Sequence, residues 1–254
     1  VGPMLVGLGL GSLGLSAWLG SSAGWTTFWK SYLVGWMAAV GIALGALFFV
    51  LLQHMTRAGW SVSTRRLAEG ISKNLSWMWI LFLPILGLVW FGDGSLLYQW
   101  GDLELMEHDH LLHAKAGYLS PTFWSVRAVF YLAVWAFIGA LYYRWSTKQD
   151  SDGDVAWTHK MQQWAPLCMI LFAFTQSYAA IDWMMTLQPK WFSTMYPVYF
   201  WACTMCGFFS MIILLARYLQ RTGHIKKSIT TEHYHDLGKY LFAFGVVFWA
   251  YVAF

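Results

Sequence analysis

Seven runs of apolar residues, separated by polar segments, set the plan of the chain. They cover approximately Pro3 to Gly20, Tyr32 to Leu52, Leu75 to Phe91, Thr122 to Tyr143, Trp164 to Leu187, Tyr196 to Ala216 and Tyr240 to Phe254. About 17 to 25 consecutive apolar residues cross the hydrocarbon core of a bilayer as a helix, so the first six runs predict six spans. The seventh has 15 residues and predicts only the start of another. None alternates apolar and polar positions as a barrel strand does, so the pattern predicts an all-α polytopic transmembrane helix bundle. The first run is glycine-rich and lacks a basic segment before it, which separates it from a cleavable leader. A start without Met and a short last run predict a segment of a longer protein. No repeat or flexible linker divides residues 1–254, so a single domain is expected.

Composition strengthens this picture. The chain is 58% hydrophobic and 11% charged, with 18 Trp, 18 Phe and 12 Met among 254 residues, far from the make-up of a soluble domain. Its net charge of +4 does not point to nucleic acid, because the basic residues sit in alternate loops. Arg57, Arg65, Arg66 and Lys73 follow the second run; Arg144, Lys148 and Lys160 follow the fourth; Arg217, Arg221, Lys226 and Lys227 follow the sixth. The other loops hold Lys30, Lys115 and Lys190. Positively charged loops stay in the cytoplasm, so the loops after helices 2, 4 and 6 are expected there. Within the first of them, SVSTRRLAEGISKN reads as a basic interfacial helix anchored by anionic lipid. The outward loop between helices 3 and 4 is acidic and carries HDHLLH (His108, His110, His113); it reads either as a metal site or as a solvated loop near a partner. Cys168, Cys203 and Cys206 lie inside apolar runs, where no disulfide framework is implied. The CTMC spacing of the last two lacks further ligands at its depth and reads as small residues facing a neighbouring helix.

Two charges fall well inside apolar runs, Arg127 and Asp182. An uncompensated charge at the centre of a membrane helix costs roughly 3 kcal/mol or more. Each is five residues from the outward end of its run, or roughly 7 to 8 Å below the boundary at about 1.5 Å per residue. Equal depth, opposite sign and consecutive antiparallel helices predict an ion pair. Two readings of it stand: a pin between helices, or the wall of a wet cavity opening outward. The helical spacing of Thr175, Tyr178, Asp182 and Thr186 forms a polar stripe that favours the cavity.

A second polar group is expected at the cytoplasmic ends, where Gln53, His54 and Arg57 close the second run and His233, His235, Asp236 and Lys239 introduce the seventh. Asp236 as a cap and Lys239 as a snorkelling anchor are ordinary explanations; His, Asp and Lys at one depth also suit a proton entrance. His54 is the one histidine near an apolar run and has no second to match it, which argues against a membrane b-type haem. No phosphate-binding loop, nucleophile elbow or HExxH motif is present. No inverted repeat suggests a secondary transporter, and Pro84 is a candidate kink in the third run.

Four stretches carry a family resemblance: LGALFFVLLQHMTRAGWSVSTRRLAE (44–69), HAKAGYLSPTFWSVRAVFY (113–131), YAAIDWMMTLQPKWFSTMYPVYFWA (178–202) and HDLGKYLFAFGVVFWAYVAF (235–254). They resemble the ActF-type membrane subunit of bacterial alternative complex III, a quinol:cytochrome c or cupredoxin oxidoreductase, within the polysulfide-reductase NrfD-like group. The resemblance implies a bundle of about ten spans in the bacterial plasma membrane. It implies as partners a homologous NrfD-like membrane subunit, an iron–sulfur subunit and haem c subunits, with a terminal oxidase as a further neighbour. Haem c and the iron–sulfur clusters then belong to the partners, and this chain carries no redox centre or metal of its own.

Three functions follow as expectations. The leading one is a non-catalytic subunit whose polar clusters serve proton movement. Its half-channels are His54, Asp236 and Lys239 on the cytoplasmic side, and Arg127, Asp182 and Tyr178 on the outer side. The second is direct quinone binding near Asp182 and Trp183, with Asp182 or His54 as the general base. The third is a purely structural scaffold.

Overall fold

The computed structural model describes residues 2–225 and 228–253. Lys226 and Lys227 of the third basic loop, and Phe254 at the end of the seventh apolar run, lie outside the described residues. Among the described residues the chain is helical, without strands. Among the described residues five helical segments, from Trp25–Met55 to Tyr196–Arg221, are long and apolar enough to cross a membrane, against the six spans expected, and they make the chain a multi-pass helical bundle.

Except for α4, which matches its run, the helices are longer than the apolar runs that announce them. α1 covers Gly2–Ala23 and α2 Trp25–Met55. A short α3, Val62–Ser72, leads almost directly into α4, Leu75–Phe91, which continues through Pro84. α5 (Leu103–His108) and α6 (His110–Ala114) fold the following loop into small caps. α7 runs Pro121–Asp152 and α8 Ala156–Trp183, joined by a tight turn in which Gly153 takes φ of 70°. α9 covers Tyr196–Arg221. The last rod starts earlier than its apolar run: α10 (Thr231–Phe242), a π-helical turn (Ala243–Val247) and α11 (Phe248–Ala253) follow each other without a break. Thr230 and His233 form a capping box at its start, so a polar first turn is helical although no hydropathy run marks it.

α2 is the central helix, packed on α3, α4, α8 and α9. Its approach to α9 is close because Gly45 has no side chain: a Cβ there would stand 2.6 Å from the Thr204 carbonyl oxygen and from the Phe208 Cβ. Small residues at such crossings let membrane helices gain van der Waals contact that lipid tails cannot match. α7 and α8 form an antiparallel pair beside it. At one end of the bundle Trp36, Phe82, Tyr131 and Trp135 surround Trp183, with ring centroids 5.0 to 5.9 Å away. At the other end Phe209 stacks on Tyr240, and Tyr240 on Trp60. α1 lies on the outside, with Leu8, Leu10, Leu15 and Trp18 exposed.

Candidate functional site

Asp182 occupies the last turn of α8 and is fully buried. Arg127, one turn and a half into α7, meets it as a two-pronged pair: Nε donates to Oδ2 at 2.8 Å and Nη2 to Oδ1 at 3.1 Å. The ion pair expected from equal depth is present. Two phenols complete it, Tyr118 donating to Oδ1 at 2.8 Å and Tyr131 to Oδ2 at 2.9 Å. Desolvating a carboxylate costs several kcal/mol, and here four donors, two of them from a cation, offset that cost. The Arg127 guanidinium also lies over the rings of Tyr118, at 3.9 Å, and Phe123, at 4.3 Å.

The backbone around Asp182 is equally engaged. A helix leaves its last carbonyls without intrahelical partners. The Trp124 indole and the Thr186 hydroxyl donate to the Asp182 carbonyl, at 2.9 and 2.6 Å, and the Tyr98 hydroxyl to that of Trp183 at 3.2 Å. Thr175, one rung lower, accepts from the Trp135 indole at 2.8 Å. Three of the four residues of the expected polar stripe are therefore buried and bonded. Tyr178 departs from it, being 48% exposed and outside the cluster. Its place is taken by Tyr118, a loop residue that no helical spacing points to.

A quinone beside Asp182 and Trp183 does not fit this arrangement. Both side chains are fully buried, the carboxylate oxygens already accept four bonds, and Trp183 is enclosed by aromatic rings. A cavity of about 220 Å³ is lined by Tyr118 together with Lys115, Ile181, Met185, Thr186 and Trp191 among others.

The opposite end of the α7–α8 pair holds a second buried carboxylate. Only Arg127 and Asp182 are expected as interior charges, yet Glu69 on α3 is 2% exposed. α3 is not simply an interfacial helix: Thr64, Ala68, Glu69 and Ser72 face inward against α2 and α7. Gly139 of α7 allows this, since a Cβ there would stand 2.9 Å from the Ser72 carbonyl oxygen. Glu69 accepts from Ser146 of α7 at 2.5 Å and from Arg66 at 3.1 Å, with Arg65 at 3.8 Å. His54, 1% exposed, faces Glu69 at 4.0 Å, and neither of its ring nitrogens has a hydrogen-bond partner. Gln53 Oε1 and Ser61 Oγ at the same α2–α3 junction are also buried without partners. Groups left so cost about 1–3 kcal/mol each. The Asp182 carboxylate itself is fully bonded, although at that end too the buried indole nitrogens of Trp100 and Trp183 have no partner among the described residues.

This corrects the expected grouping of His54 with Asp236 and Lys239. Those two pair with each other at 3.0 Å, with Lys239 exposed and Asp236 partly so, and line a separate recess with Trp60 and Tyr240. Among the described residues no hydrogen bond or ion pair joins them to His54. In HDHLLH the three histidines do not converge: His108 bonds the Glu104 carbonyl, all three rings are at the surface, and no group of three or more metal-ligating side chains gathers among the described residues. Asp109 between them caps α6 and pairs with Lys190, whose hydrogen bond holds the Asp109 carboxyl below the usual carboxylate range. No family model and no curated protein sequence matches the chain.

Proposed function

We propose that this chain is a membrane subunit of a respiratory quinol:cytochrome c or cupredoxin oxidoreductase of the ActF type, and that it passes protons between two buried carboxylate clusters. The observation that carries the proton reading is the placement of Asp182 and Glu69 at opposite ends of α7 and α8. α7 serves both, through Arg127 and Tyr131 at one end and Ser146 at the other. Tyr131 and Ser146 stand roughly 22 Å apart along the helix at about 1.5 Å per residue. Ionisable side chains buried in membrane helices are expensive and commonly mark proton relays. Between the clusters the Trp135–Thr175 hydrogen bond is a polar step in an apolar stretch.

In this reading the inner half-channel is His54 and Glu69, in place of His54, Asp236 and Lys239, and the outer one is Arg127, Asp182 and Tyr118. The loops rich in Lys and Arg support an orientation with the Glu69 end toward the cytoplasm of a bacterial plasma membrane. Quinol oxidation and electron transfer reside in the partners that the resemblance implies: the NrfD-like homologue, the iron–sulfur subunit and the haem c subunits. The test is the assembled complex in sealed vesicles. Asp182→Asn and Glu69→Gln are each expected to keep quinol oxidation and lose proton translocation; unchanged coupling in both variants sinks the proposal. A scaffold role is the second reading, favoured by the saturation of Asp182. It predicts that Asp182→Asn abolishes assembly while Glu69→Gln leaves coupling intact.

A further inference from the structure

Tyr118 lies in the turn between α6 and α7, outside both helices. Of the three side chains that bond the Asp182 carboxylate it is the most exposed: Tyr118 is 37% exposed, against 11% for the Arg127 side chain and 4% for Tyr131. Its other side lines the 220 Å³ cavity. The turn is tied down by Lys115, whose Nζ donates to the Pro189 carbonyl at 2.6 Å. One phenol therefore stands between a buried carboxylate and a cavity bordered by surface side chains, Trp191 and Phe192 among them.

We infer that Tyr118 is the gate through which Asp182 releases its proton to that cavity, an inference that rests on the proton-transfer reading above. Arg127 cannot serve, because a guanidinium does not give up its proton in this pH range. Tyr131 is enclosed. In the step, the carboxyl O–H bond of protonated Asp182 breaks as its proton passes to the Tyr118 oxygen. The phenol's own O–H bond breaks at the same time, and that proton goes to a cavity water. The balance is a neutral carboxyl plus water giving a carboxylate plus hydronium, with the phenol neutral before and after. Rotation of its hydroxyl then restores the 2.8 Å bond to Oδ1 present here.

The closing experiment uses the assembled complex in vesicles, following outward proton release alongside quinol oxidation. Tyr118→Phe retains the ring stacked on Arg127 and loses only the hydroxyl. Quinol oxidation is expected to persist while release slows about a hundredfold, the scale of a positioned proton-transfer group. Met185→Trp fills the cavity without touching the Asp182 bonds and is expected to slow release as well; it decides the matter if Tyr118→Phe does not assemble. Wild-type release in these variants, with release lost in Asp182→Asn, overturns the gate and leaves the proton reading standing. Wild-type release in Asp182→Asn and Glu69→Gln too removes the reading itself.

Discussion

Asp182 and Glu69 are both carboxylates withdrawn from solvent, both served by α7, and yet they are held in opposite ways. Asp182 accepts four bonds of 2.8 to 3.1 Å, three of them from side chains of α7. Glu69 shares its cations with the surface: Arg66 also contacts Asp150, which is 64% exposed, and Arg65 stands back at 3.8 Å. Beside it both ring nitrogens of His54 lack a hydrogen-bond partner among the described residues. With every position on the Asp182 carboxylate taken, a proton can leave it only through a group already bonded to it, which agrees with placing the gate at Tyr118.

The sharpest way to break this contrast is to remove one partner of the saturated pair. Arg127→Ala leaves a buried carboxylate without its cation and is expected to cost about 3–5 kcal/mol, enough to abolish accumulation of folded protein in the membrane. Arg127→Leu combined with Asp182→Leu is expected to be better tolerated than either single change, because no uncompensated charge remains. Thermal unfolding in detergent reads both, and a double variant worse than Arg127→Ala would show that the pair is not the main stabilising element of this end.

A smaller effect is expected at the other end. His54→Phe keeps a planar ring beside Tyr142 and removes two nitrogens that have no partner, so stability is expected to hold or to rise, by about 1–3 kcal/mol. A loss approaching that of Arg127→Ala would mean that the Glu69 end is as tightly held as the Asp182 end.

The smallest effect belongs to a third carboxylate, Asp109, partly exposed and outside the membrane segments. Lys190 lowers the pKa of Asp109, so the contribution of their pair is present above the ordinary carboxylate range. It fades as pH falls through the lowered value of the folded state. Lys190→Ala is expected to leave the melting temperature at neutral pH nearly unchanged and to flatten its decline on acidification, which melts across pH 7 to 3 can check.

Much of the first site is legible in the sequence because a membrane imposes depth. Apolar runs fix where a helix enters, and a count of five residues from each outward end places Arg127 opposite Asp182. Glu69 escapes that logic. It lies in a run of mixed polarity, where hydropathy sees only a basic helix, and its burial depends on Gly139 admitting α3 against α7. Tyr118 escapes for a different reason: it stands in a turn, where no periodicity says which way a side chain points. Asp236 and Lys239 mislead because shared depth does not imply a shared face of the bundle. Tyr178 misleads because a spacing that matches a stripe does not guarantee a buried position at its edge.

α7 carries a further consequence. Its residues at 127 and 131 grip one carboxylate and its residue at 146 grips the other, so the stretch between them works as a fixed ruler. Apart from Gly139, which admits α3, and Trp135, which bonds Thr175, substitutions along it are expected to change local packing. Adding or deleting a single residue there would turn one end by about 100° relative to the other, since a helix has 3.6 residues per turn. The length of that stretch is thus under stricter control than its composition, and a one-residue insertion after Leu132 should uncouple the two ends while both remain helical.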